Sequence, residues 1–255
     1  MNRLPIPYMD SLTIAAVSGL RSRMQSLDLL ANNIANAGTA GFKRDQEFYG
    51  LFTSDEASGA GDTAASALPT IQSQWTDFSQ GDLQVTGNPM NVALSSSGFF
   101  VVKGPSGPLY TRNGTLQVLP SGALATADGY PITTASGGTI QVSPGQPIEI
   151  STDGTVTQGG NALGRLAVVT FSSTKSLAKF GSTCFQNSDP KNKPVPDSNG
   201  NDVQQGKLEG SNVPVAEAAM RLVGVMRQFE MLQKAIGVSS DMDTKTIQEV
   251  ARVGS

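Results

Sequence analysis

The stretch LDLLANNIANAGTAGFKR, residues 27–44, decides how the rest of the chain is read. A helical apolar stripe of Leu20, Met24, Leu27, Ala31 and Ile34 runs into three asparagines, Asn32, Asn33 and Asn36. Two glycines, Gly38 and Gly41, then open a turn ahead of Phe42, Lys43 and Arg44. Asparagine competes with the backbone for hydrogen bonds and is a mediocre helix former. Three of them at one helix end weaken that end locally and present amides able to bond to neighbouring chains. Asp10 or Ser11 is placed to cap the helix, which is predicted to run to about Asn36.

The far end of the chain carries a second sticky face. Val215, Ala219, Leu222, Met226, Phe229, Ile236, Ile247 and Val250 recur with heptad-like spacing, and polar Gln233, Ser240 and Asp243 fill the seam between them. The pattern predicts a helix of roughly 35 residues, about 50 Å long. Between the helices, from Ile71 to about Ser172, the period changes to two. Turn pairs such as Gly87-Asn88, Ser121-Gly122, Asp128-Gly129 and Asp153-Gly154 separate strand candidates at 91–94, 99–103, 116–119 and 163–171. A spacing near ten residues is that of a β-sandwich or irregular barrel.

The expected fold class is therefore α+β. Long N- and C-terminal helices pair as a coiled-coil-like stem, and the central domain is mainly antiparallel β. The expected divisions are 1–45 for the first helix and its motif, 46–75 for a linker or extended segment, 76–207 for the β-rich domain and 208–255 for the last helix. Residues 53–70, rich in Ser, Ala, Gly and Asp, read as a flexible linker. Phe42, Phe48, Tyr49 and Phe52 are expected to pack onto the nearby helix.

Composition excludes several classes of function. The 255 residues carry a net charge of −3, and basic residues are scattered, unlike a nucleic-acid surface. No apolar run of about 18 residues suggests a membrane span. The N-terminus lacks the apolar core of a cleaved secretory signal. One cysteine, Cys184, cannot build a disulfide framework and is expected to be a packed small apolar residue. There is no histidine, which removes Ser-His-Asp and Cys-His catalysis and histidine metal sites.

The remaining candidate sites have plainer readings. Ser95-Ser96-Ser97-Gly98 is a serine-rich turn with no base to activate it. Arg112 is a turn arginine that pairs with a carboxylate or a neighbouring subunit. The stretch 197–202 resembles a calcium loop but has Leu208 where the glutamate belongs. Neither an enzyme nor a cofactor is expected.

Both ends resemble the flagellar basal-body rod and hook family. The N-terminal motif is similar to Leu30-Ala31-Asn32-Asn33-Ile34-Ala35-Asn36 followed by Thr39-Ala40-Gly41-Phe42-Lys43, with Ala40 where the family usually has proline. The C-terminal pattern is similar to Leu208-Glu209-Gly210-Ser211-Asn212-Val213 and the run Arg227-Gln228-Phe229-Glu230-Met231. The middle adds 86–94, 98–102, 110–114 and 127–132, with Asn91 in place of the usual aspartate.

The resemblance implies a structural subunit of the rod, most like a proximal one, that polymerises through its terminal helices and transmits torque from motor to hook. It implies copies of itself and other rod and hook proteins as partners. It also implies a periplasmic place in the basal body, reached through the flagellar type III export apparatus without a cleaved signal. The subunit-packing residues it implies are Leu27, Leu30, Asn32, Asn33, Ile34, Asn36, Thr39, Gly41, Phe42 and Lys43 at one end. At the other they are Leu208, Glu209, Ser211, Asn212, Leu222, Met226, Phe229 and Ile236. A distal rod subunit is the runner-up. A β-rich carbohydrate- or peptidoglycan-binding module with helical flanks is the reading from another class, although Trp75 and four tyrosines are few for sugar stacking.

Overall fold

The computed structural model describes residues 11–53, 67–197 and 202–253. Helix α1 spans Ser11–Ala35 and helix α2 spans Val215–Val253. The strands described between them number seventeen, and the pairings with a defined register are antiparallel. The chain divides into two compact units. Ala35–Arg44 and Thr76–Pro214 form one; α1 up to Ile34, Asp45–Trp75 and α2 group as the other.

The β-rich unit is built on a six-stranded sheet. Its order is Leu177–Phe180, Cys184–Asn187, Gly107–Thr111, Phe99–Gly104, Val168–Thr170 and Val195–Pro196. Successive side chains of a strand point to opposite faces, and in Phe99–Gly104 both faces are used. Phe100 and Val102 enter the main core with Leu109, Leu124, Ile132 and Leu166. Phe99 and Val101 enter a second, aromatic core with Tyr110, Leu177, Phe185, Phe78 and Phe171. There Phe78 meets Phe185 edge to face at 4.9 Å, and Tyr110 meets Phe171 at 4.8 Å. Burial of this kind stabilises by about 25 cal/mol per Å² of apolar surface removed from water.

The predicted turns at Gly87, Gly122, Gly129 and Gly154 all take positive φ. The candidate strand 163–171 is broken in two, as Asn161–Arg165 and Val168–Thr170, which belong to different sheets. The last residues of the proposed linker, 67–70, belong to a strand. Strand Asp45–Thr53 pairs with Ala67–Thr76, and residues 54–66 lie outside the described residues. Phe42 is buried in the β-rich unit with the Lys179 ammonium 4.2 Å from its ring centre. Phe48 is exposed instead of packed on a helix. The possible calcium loop at 197–202 falls largely outside the described residues.

The helices differ from the sequence pattern in which face they bury. On α1 the buried positions are Gly19, Ser22, Ser26, Leu30 and Asn33, while Met24 and Ala31 of the apolar stripe are exposed. On α2 the buried and half-buried lane is Ala218, Leu222, Val225, Phe229, Leu232 and Ile236. Val215, Ala219 and Met226 lie to one side of it in solvent. The small residues of α1 allow a close approach: a Cβ on Gly19 would lie 3.5 Å from Leu232 Cδ1. No described helix is long and apolar enough to cross a membrane.

Candidate functional site: a buried clasp between the two motifs

The turn after α1 is the first component. Asn36 O accepts from Thr39 N at 3.0 Å and Thr39 O accepts from Phe42 N at 3.2 Å, which reverses the chain. Gly41 then takes φ +69, and a Cβ there would lie 2.3 Å from Asn113 N, so both space and conformation require glycine. Freed of a side chain, Gly41 N donates to Glu209 O at 2.8 Å. This bond joins the N-terminal motif to the C-terminal one across most of the sequence.

Three side chains complete the junction. Lys43 Nζ meets Glu209 Oε1 at 2.5 Å, and both side chains are fully buried. Arg112 Nη1 meets Glu209 Oε2 at 3.1 Å, again out of solvent. Gly81 N donates to Glu209 Oε1 at 3.0 Å, and Lys43 also donates to Ser79 O at 2.7 Å. The backbone can come this close because Gly81 has no Cβ, which would fall 2.1 Å from Gly210 O. The Arg112 guanidinium lies over the Phe99 ring at 5.1 Å, while its Nε is buried without a partner.

Asn212 ties the same three segments on the outside of the cluster. Its Oδ1 accepts from Arg44 N at 2.8 Å, and its Nδ2 donates to Asp77 O at 2.8 Å and to Ser79 O at 3.1 Å. Arg44 closes the rim with an ion pair to Asp77 at 3.0 Å. Burial alone would raise the Asp77 carboxyl, but hydrogen bonds from Ser79 and Arg44 outweigh it and hold the group below its ordinary range.

The cluster carries two cations and one anion. Burial pushes the Lys43 ammonium below its ordinary value, with Glu209 pulling the other way and Arg112 adding to the fall. The Arg112 guanidinium is lowered by burial for the same reason. Glu209 is engaged by three donors and has no approach for a substrate. Such a carboxylate is an anchor, not an acid or base. Among the described residues no group of histidine, cysteine or acidic side chains could hold a metal ion.

The structure brings together Gly41, Phe42, Lys43, Glu209 and Asn212 from the sequence-derived set. Asn33 is engaged separately: its amide exchanges two hydrogen bonds with the backbone of Asp45, at 2.8 and 3.0 Å, within its own chain. Leu30 is buried, Asn32 is exposed, and Leu27, Ile34, Asn36, Thr39, Leu208 and Ser211 are half-buried. Leu222, Phe229 and Ile236 are half-buried on α2, and Met226 is exposed. Sequence reading named Arg112, and Gly81 as a turn residue, but placed neither in this cluster, and it missed Asp77.

Cys184 is packed, as expected, and burial pushes its thiol up to about 11. The Ser95–Gly98 stretch is a turn, with Ser96 Oγ bonded to Asp197 Oδ2 at 3.1 Å. Asn91 donates from Nδ2 to Thr86 Oγ1 at 2.9 Å.

Comparison with known proteins covers both motifs and the domain between them. Residues 15–43 match the model of the flagella basal body rod protein. Residues 93–158 match that of the flagellar hook protein FlgE/F/G D1 domain. Residues 204–249 match that of the flagellar basal body rod FlgEFG protein C-terminal region. The flagellar basal-body rod protein FlgF of Mesorhizobium japonicum is 31% identical over 93% of this chain and 98% of its own. That of Caulobacter vibrioides is 29% identical over 96% and 100%. The rod protein FlgG of Buchnera aphidicola subsp. Schizaphis graminum is 30% identical over 91% and 96%.

Proposed function

The chain belongs to the flagellar basal-body rod protein family and is a structural subunit of the rod; from that premise we propose that it polymerises through the outer faces of α1 and α2. The observation that carries this reading is the apolar surface the helices leave in solvent. Val17 and Met24 are exposed on α1; Val215, Met220, Val223, Met226, Met231, Val238 and Met242 are exposed on α2. Those of α2 are not confined to one lane, and Met220, Met231, Val238 and Met242 lie on the far side from the half-buried seam. Large apolar side chains standing in solvent on the face away from the seam mark a surface made for a partner, and here that partner is supplied by neighbouring subunits.

Copies of itself and other rod and hook proteins are the partners in this reading. The coiled-coil-like stem is the pairing of α1 with α2 along their inner lanes, supported by the close approach of Gly19 to Leu232. The outer lanes then take neighbours in head-to-tail contacts that do not close, which generates a helical tube. Such a tube transmits torque. The subunit occupies the proximal, periplasmic part of the rod, and it arrives by the flagellar type III export route.

The test is the double substitution Met24→Glu with Met226→Glu in the full chain. Both side chains are about half in solvent already, so the purified monomer keeps its stability while incorporation into basal bodies fails. Parental incorporation of that variant refutes the assignment of these lanes.

A further inference from the structure

We infer that Lys207–Asn212 is the closing strap of the β-rich unit, and that Glu209 makes closure of the whole unit conditional on the strap's arrival. The strap pairs as Lys207 with Val85, Leu208 with Gln84 and Glu209 with Leu83. It forms a two-stranded ribbon outside the six-stranded sheet. Two such short strands are weak by themselves. Nor does apolar burial hold them: Lys207 and Leu208 are only half-buried, and Val85 is 79% exposed. The fully buried side chain of the strap is the charged one, Glu209.

The consequence follows from what Glu209 neutralises. Lys43 and Arg112 reach it from segments 166 and 97 residues away in sequence. Among the described residues it is the carboxylate ion-paired to both cations; Asp77 acts on Lys43 as the weakest of its electrostatic influences. Lifting the strap leaves two buried cations without their ion-pair partner in a low-dielectric interior, and Gly81 N loses its acceptor. The strap cannot fray while the core stays shut.

Opening of the strap and opening of the core are therefore one event. The first and last segments of the unit, 35–44 and 207–214, lock together through the same carboxylate. A chain that has not yet delivered residue 209 holds an unfinished domain, however complete its other strands are. This inference rests on the ion cluster and is independent of how the helices polymerise.

Native-state hydrogen exchange on the full-length monomer, followed with rising denaturant, tests it. In the parent, the amides of 207–209 open together with those of the core strands at 92–94 and 99–104, with one shared dependence on denaturant. In the charge-free variant Lys43→Met, Arg112→Met, Glu209→Met, the strap separates and its amides exchange at least about tenfold faster than the core. Independent, faster exchange of 207–209 in the parent overturns the proposal, whether or not the variant folds. So does a folded variant that keeps the single shared opening.

Discussion

The two units of this chain hide opposite things. The β-rich unit buries charge: Lys43, Arg112 and Glu209 are at most 2% exposed. The helices expose apolar surface: Met220 is 70% exposed, Met242 64% and Met231 61%. Each is expensive in isolation, because buried ions lose hydration and exposed methionines order water. The difference lies in where the compensation is found. The buried ions find it within their own unit, from Gly81, Ser79 and each other. Met220 and Met231 stand largely in solvent in the described monomer, and this supports the proposed assembly of the helices into a polymer.

The largest effect expected on this contrast comes from Glu209→Gln. It leaves Lys43 and Arg112 buried without their ion-pair partner, a loss of about 3–5 kcal/mol by analogy with other broken buried pairs. Chemical denaturation should show the β-rich unit destabilised. A loss within about 0.5 kcal/mol, the range of ordinary surface substitutions, contradicts the clasp.

A smaller effect concerns pH. Lys43 has a folded-state value below its unfolded value of 10.5, so the unfolded chain holds that proton more tightly. Stability from this group is then present above 10.5 and is lost as pH falls through the lowered folded value. Chemically this is reasonable, because losing one proton turns two cations and one anion into a neutral Arg112–Glu209 pair. Relative to Lys43→Met, the parent should gain stability as pH rises toward 10.5. Parallel stability curves for the two proteins over that window exclude the effect.

The sequence made much of this legible, but unevenly. Strand positions and the turns at Gly87, Gly122, Gly129 and Gly154 follow from local chemistry, so alternation and turn pairs located them. Lys43 and Glu209 were each visible as motif members, and Arg112 as a residue seeking a carboxylate. That the three meet was not visible, because tertiary topology sets a contact across 166 residues. Hydropathy also misjudged the helix faces. It ranks Met24 and Met226 above Gly19, Ser22 and Ser26, yet the small residues are buried, since they let another segment approach. Of the apolar stripes it found, Leu222, Phe229 and Ile236 lie in the half-buried seam of α2, while Met24, Val215 and Met226 are surfaces left over.

Those leftover surfaces allow the most direct test of the central claim. Cys184 is the single native thiol, buried and shifted upward, so it reacts slowly with a maleimide. A Met226→Cys substitution therefore reports its own exposure against a quiet background. The expected result is rapid labelling of the purified monomer and strong protection in isolated basal bodies. Equal labelling in both would place Met226 in solvent after assembly and contradict a rod built on the outer faces of these helices.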